Sequence, residues 1–462
     1  MEQTVTHDKT RWVVLATVSV GLLLVTLDNS ILYTALPTLT EELGASAAES
    51  LWIINAYPLV MAGLLLGAGT LGDRVGHRQT FLAGLTLFGG ASLLAAFSPS
   101  PEWLIGGRAL LAVGAAAMMP ATLALIRISF EDQRERNLAI AVWGSLAIVG
   151  AALGPIIGGL LLEWFWWGSV FLVNVPVVLI ALVVAVRVVP RERPDTSVRW
   201  DVLSSVLALV ALSGLVLVIK ESVKVDRSAT ILLVAGVLAV LAGTIFVRRQ
   251  RRLRQPLLDL ALFRSPVLSV GVLAAGVTMF VIAGLQLVTV QRYQSVEGFS
   301  PLQAGLLVSC VAVGTLPTSM LAGAILHRTG PRGLVSTGLA IAAVGAFLSA
   351  AATGSGWQST AGAFLVTGAG LGLVFGVASS MVIGSAPRER AGMASSVEEV
   401  SYELGSLTAV ALLGSLFTSV SASADIDRGF VVIMLVVGGV TVAMALASAV
   451  ALRGSHDIGV GH

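Results

Sequence analysis

The sequence predicts an all-α integral membrane protein with 14 transmembrane helices and both termini in the cytoplasm. Three observations carry that expectation. Of the 462 residues, 56% are hydrophobic and only 12% charged, with a mean hydropathy of +0.91, whereas soluble domains carry about 25% charged residues. Apolar runs of the roughly 20 residues that a membrane-crossing helix needs recur fourteen times. The chain also matches itself at an offset of 254 residues: DRVGHR (Asp73 to Arg78) lies over HRTGPR (His327 to Arg332), RALLAVGA from Arg108 lies over GAFLVTGA, and RER at 134–136 lies over RER at 388–390.

The runs are read at 12–36, 51–71, 80–97, 103–126, 138–162, 168–187, 201–219, 229–247, 267–291, 302–325, 333–352, 359–383, 394–420 and 429–452. Lys and Arg concentrate on the side of the N-terminus, which makes that side cytoplasmic, and an even number of spans returns the C-terminus to it. Trp52, Trp103, Trp164, Trp166 and Trp167 then fall near external helix ends, as an aromatic belt requires. The first span has no A-x-A-like site and is followed by more spans, so no cleavable signal is expected. The net charge of +2 reflects topology rather than a nucleic-acid footprint. Cys310 is the single cysteine, and His7, His77, His327, His456 and His462 lie in loops or tails. Neither an internal disulfide nor a metal cluster is expected, and a proton crossing the membrane must ride on a carboxylate or water.

Spans 1–6 and 9–14 read as two copies of one six-helix unit: an N-terminal bundle at 12–187, two linker helices with the basic RRQRRLR loop at 188–266, and a C-terminal bundle at 267–452. Parallel repeats of this kind belong to alternating-access transporters, whose substrate site lies near the midplane between the halves. A duplicated bundle without a transport role is the alternative. It has no need of the charges buried within the spans, which are costly there.

Several motifs punctuate the repeat. GDRVGHR follows span 2, in a short loop too tight for bulky residues at Gly72 and Gly76. In GAALGPIIGG, Gly150, Gly154 and Gly158 recur every four residues and form one smooth helix face, with Gly159 beside it. Pro155 in the same stretch bends the helix. Together with Arg108 in LIGGRALLAVGAAAMMP and WGSVFLVNVP opening span 6, these stretches resemble, in order and spacing, the signature motifs of the major facilitator superfamily. VTLDNSILYTALP, GPIIGG and fourteen spans resemble its drug:proton antiporter branch, the exporters of quaternary ammonium and other antiseptic cations. The resemblance covers nearly the whole chain and implies the major facilitator fold. It implies a cytoplasmic gate at GDRVGHR, where Asp73 caps or pairs with a facing helix while Arg74 and Arg78 anchor at the headgroups or take part in gating. It also implies that the glycine motif marks exchange rather than uptake; plain helix packing is physically the same contact.

Asp28 lies about 12 Å below the external end of span 1, at 1.5 Å of rise per residue, and Arg108 enters span 4 at a similar depth. Two readings stay open. The pair neutralises itself, or Asp28 attracts a lipophilic cation or exchanges a proton. Span 13 carries Glu398, Glu399 and Glu403; the last two are four apart and share a face, and Glu398 is rotated by about 100°. The resemblance places the acidic residues of VEExxYELG on the substrate and proton pathway; of these Glu399 and Glu403 are favoured, and Glu398 ranks below them because its position also allows it to face the inner headgroups. Carboxylates in a low dielectric bind a cation or a proton in competition, which is what exchange requires. Span 10 lacks the acidic residue that some such exporters carry, which puts dication recognition in doubt.

The expected function is proton-coupled multidrug efflux of hydrophobic or quaternary ammonium cations in a bacterial cytoplasmic membrane. No cofactor is expected beyond the proton gradient, and the partners are lipophilic cationic drugs or dyes, protons and the bilayer, with the monomer as the working unit. Export of one specific metabolite or antibiotic is the alternative. A membrane receptor or enzyme is remote, because the gap at 248–266 is too short for a catalytic domain and no nucleophile or metal constellation is present.

Overall fold

A backbone inside hydrocarbon must satisfy its own hydrogen bonds, so apolar runs of this length become helices. The computed structural model describes residues 2–192, 201–223, 227–253, 256–385, 391–423 and 425–453; the second RER anchor at 388–390, Arg254 of the basic loop, His456 and His462 lie outside the described residues. Among the described residues, 14 helices are long and apolar enough to cross a membrane. They are α1 (Thr10–Glu42), α2 (Ala47–Val75), α3 (His77–Ala96), α4 (Pro101–Ser129), α5 (Leu138–Trp164), α6 (Ser169–Val188), α7 (Val202–Ile219), α8 (Ala229–Gln250), α9 (Pro266–Ser295), α10 (Pro301–Leu326), α11 (Arg328–Ala351), α12 (Trp357–Gly384), α13 (Met393–Ala422) and α14 (Ile426–Ala451). Each overlaps one expected run. Many extend a few residues past it, because a helix that has crossed the core continues into the headgroup zone.

The chain forms two compact units, residues 1–206 and 207–462. Within the first, α3 and α4 meet backbone to backbone: a Cβ on Gly84 would stand 2.8 Å from the Gly114 carbonyl oxygen. Within the second, α9 and α13 do the same, and a Cβ on Gly405 would stand 2.0 Å from the oxygen of Gly276. Lipid offers no hydrophobic drive for helix association, so such small-residue contacts carry the packing. In α7 and α8 the close contact is Gly214 against Ala235. α8 is the least buried of the fourteen helices, and its exposed Leu233, Val240 and Leu241 give it a face suited to lipid.

The turns carry the repeat more sharply than the helices do. Gly44 and Gly298, 254 residues apart, have φ of 62° and 66°. Two residues on, Ser46 and Ser300 start α2 and α10 with capping boxes closed by Glu49 and Gln303, and each cap contributes about 1 kcal/mol. Gly76 and Gly330, also 254 apart, have φ of 105° and 69°; Gly76 joins α2 to α3, and Gly330 makes the corresponding kink just inside the start of α11. Any side chain there would be strained, which is why both copies of the motif keep glycine.

Candidate functional site

Buried polar groups in a membrane protein survive only where partners converge. In the first unit they converge on Asp28, at the middle of α1 and 1% exposed. Arg108 of α4, fully buried, forms an ion pair through Nη1 with Asp28 Oδ2. Its Nε donates to the carbonyl of Ile53 on α2 at 3.3 Å, and its guanidinium carbon lies 4.6 Å from the centre of the Tyr57 ring. Asn174 of α6 donates through Nδ2 to Asp28 Oδ1 at 2.9 Å and also reaches Ser92 Oγ of α3 at 3.3 Å. The pairing that sequence left open is therefore made. Nothing in the linear sequence singles out Tyr57 or Ser92, whereas Asn174 stands in WGSVFLVNVP as a lone amide in an apolar run.

The glycine motif of α5 lies against the same turn of α1. A Cβ on Gly150 would stand 2.0 Å from Thr26 Oγ1, one on Gly154 2.5 Å from Ser30 Cβ, and one on Gly158 3.1 Å from Ile31 Cγ2. Ser30 Oγ donates to the carbonyl of Ala151 at 2.8 Å. Pro155 and Gly159 are buried in the same stretch. The three glycines thus lie against Thr26, Ser30 and Ile31, the stretch of α1 that bears Asp28.

At the turn between α2 and α3, Asp73 Oδ1 lies 3.2 Å from His77 Nε2, with the Asp73 side chain about half exposed. Gly72 faces the His77 ring so closely that a Cβ would stand 2.6 Å from its Nδ1. Arg74 is exposed. Arg78, read from sequence as an anchor or gating residue, is tied to the end of α6: its backbone N–H donates to Glu192 Oε1 at 3.0 Å and its Nη2 to the carbonyl of Val186 at 2.8 Å. The side chain of His327, which replaces Asp73 in the second copy, lies outside the described residues.

In the second unit the acidic residues of α13 have different company. Glu398, the acid ranked below its two neighbours from sequence, is 5% exposed. Hydroxyl donors make that burial tolerable: Tyr402 Oη donates to Oε1 at 2.8 Å and Ser379 Oγ of α12 to Oε2 at 3.1 Å. The Tyr402 ring stacks on Phe375 of α12, centroids 5.6 Å apart and planes 17° from parallel. Among the described residues, no Lys or Arg forms an ion pair with Glu398 or Glu399. Glu403 is 6% exposed and Glu399 partly buried. Beyond these residues the helix widens into a π turn at Val410–Gly414, a feature that recurs at functional sites.

Arg292, in the last turn of α9, is buried inside the protein. It is 2% exposed because Asp427 and Glu297 accept from it at 2.7 and 3.2 Å and Phe430 lies under its guanidinium. The sequence placed this residue just past the end of a span.

The sequence matches the family model described as Major Facilitator Superfamily over residues 18–397 and 267–457. It is 39% identical over 428 residues to the multidrug efflux pump LfrA of Mycolicibacterium smegmatis, covering 92% of this chain and 84% of the relative. It is 37% identical over 423 residues to the methyl viologen resistance protein SmvA of Salmonella typhimurium, covering 91% and 85%. A tetracenomycin C resistance and export protein of Streptomyces glaucescens is 34% identical over 88% of this chain and 76% of its own. Among solved structures, a peptide transporter POT in complex with sulfate superposes with a TM-score of 0.70 at 15% identity, over 97% of this chain and 94% of that one; this likeness concerns the fold.

Proposed function

The chain belongs to the Major Facilitator Superfamily, a multi-pass membrane protein, and from that premise we propose that it is a proton-coupled antiporter exporting lipophilic cationic drugs from a bacterial cytoplasm by alternating access. The observation that carries the reading is the contrast in counter-charge. Asp28 is neutralised by Arg108, whereas Glu398 is held by two neutral hydroxyls and has no basic partner among the described residues. A carboxylate in a low dielectric without a cation attracts one, and the stacked Tyr402 and Phe375 rings supply the π surface that organic cations favour. In this proposal Glu398, Glu399 and Glu403 form the cation seat and Asp28, paired with Arg108, exchanges the proton. Asp73, Arg74, Gly72, Gly76 and Arg78 act as the cytoplasmic gate, and the glycine face of α5 transmits movement to α1. The bundles at 12–187 and 267–452 with two helices between them work as a monomer in the inner membrane, with the proton gradient as the energy source and no cofactor. Each charge crossing 100 mV contributes about 2.3 kcal/mol.

Inside-out vesicles energised with a proton gradient are expected to accumulate ethidium and tetraphenylphosphonium, to lose both on addition of a protonophore, and to transport neither with Glu398→Gln. Saturable uptake of neutral compounds alone, indifferent to the protonophore, overturns the proposal. The likeness to an antibiotic export protein favours a second reading, a dedicated exporter of one such compound. Competition between structurally unrelated cations for one uptake process separates the two.

A further inference from the structure

Each oxygen of the Asp28 carboxylate has its own donor, and the two donors differ in kind. Arg108 holds Oδ2, and a guanidinium has only donors to give. Asn174 holds Oδ1 through Nδ2, and a terminal amide carries an acceptor beside its donors. That acceptor, the buried Oδ1 of Asn174, takes no hydrogen bond among the described residues. Ser92, which receives the other contact of Nδ2, is a hydroxyl and can donate as readily as accept. The charged and polar groups facing this carboxylate are Arg108 from α4, with Tyr57 of α2 over its guanidinium, and Asn174 from α6, backed by Ser92 of α3. α5 presents glycines to the same turn.

A group that gains and loses a proton while buried needs a neighbour that suits both forms, because an unmatched polar contact there is costly. Arginine can donate to the carbonyl oxygen of the protonated acid but cannot accept from its O–H. We infer that Asn174 is a positioning residue that lets Asp28 exchange a proton inside the bundle: its NH2 group holds the carboxylate, and turning the amide over presents its oxygen to the carboxylic acid. Ser92 follows the turn by rotating its hydroxyl. The inference rests on the proposed role of Asp28 in proton exchange. Leucine has a similar shape and neither function, so Asn174→Leu removes the support of both forms. A hydrogen bond to a charged group is about twice as strong as one to a neutral group, so the ionised form loses more.

The test is tetraphenylphosphonium binding to the full chain in nanodiscs as a function of pH, with infrared difference spectra on binding. Binding is expected to strengthen as pH rises, through the seat carboxylates and through Asp28, and the component lost in Asp28→Asn is the one that belongs to Asp28. Asn174→Leu is expected to move the midpoint upward by about one pH unit and to shift the carboxylic acid C=O band that is absent in Asp28→Asn. Ser92→Ala, which frees the amide without removing it, moves the midpoint the same way by less. If Asp28→Asn leaves the wild-type pH dependence intact, Asp28 is not the exchanger, and both that reading and this inference fall. If Asp28→Asn removes a component of the dependence while Asn174→Leu and Ser92→Ala leave the midpoint of that component and the band in place, the reading stands and the inference alone is overturned. Should Asn174→Leu fail to fold, Ser92→Ala decides by the same two readouts.

Discussion

Asp28 in the first unit and Glu398 in the second are both carboxylates buried on membrane-spanning helices, yet their surroundings are opposite in character. Around Asp28 the protein supplies a full positive charge, an amide and an aromatic face over the arginine. Around Glu398 it supplies two hydroxyls and a stacked aromatic pair. The helices that carry or support the acids are equivalents in the repeat, α1 with α5 and α9 with α13. In the first unit the acid is on α1 and the glycine face on α5; in the second the acids are on α13, which also approaches α9 through Gly405. Duplication thus preserved the helix contact and left the charge free to diverge. Burial by itself does not assign a role; the counter-charge does.

The largest expected effect tests this directly. Arg108→Met leaves Asp28 with an unmatched charge and is expected to destabilise the first unit by about 3–5 kcal/mol, seen as loss of folded protein from the membrane. Glu398→Gln removes a charge that no Lys or Arg balances, so the protein should remain inserted with unchanged thermal stability while binding tetraphenylphosphonium at least about tenfold more weakly, or about 1.4 kcal/mol. Equal destabilisation by the two substitutions would erase the contrast.

Next in size are the close helix contacts. Gly154→Val drives a Cβ into Ser30 and the Ile31 backbone, and Gly405→Val drives one into the Gly276 carbonyl. Each should cost about 1–3 kcal/mol, read as a lowered unfolding temperature. Only Gly154→Val should alter the pH dependence of binding, because only α5 braces the turn that bears Asp28.

Smallest are the hinge glycines. Gly76→Ala and Gly330→Ala each force a side chain into a positive-φ conformation, costing about 1–2 kcal/mol. Asp73→Asn, beside the first of these hinges, should slow transport without weakening dye binding, because it alters the balance of conformations and not the cation seat. A large loss of dye affinity in that variant would place Asp73 in the seat instead.

The fourteen helices were legible because hydropathy at the length of a bilayer has one structural solution, and the motif copies at Gly76 and Gly330 because glycine is the residue that tolerates their backbone. Arg108 was legible as a partner for Asp28 by depth along two helices of opposite direction. Glu398 was ranked below Glu399 and Glu403, since helical periodicity gives the angle between neighbouring side chains but not what stands opposite them. Ser379 and Phe375, which make its burial tolerable, come from α12, and Ser92 reaches Asp28 only through Asn174.

By itself, then, the sequence determined the membrane as solvent, the number of the helices, the internal repeat and the presence of charges too costly to be idle, because each follows from local composition and from the length of one helix. Only the tertiary structure decided which of those charges are neutralised. A counter-charge acts over a few ångströms of space, and Asn174, 146 residues from Asp28 along the chain, comes within that range only when the helices have packed.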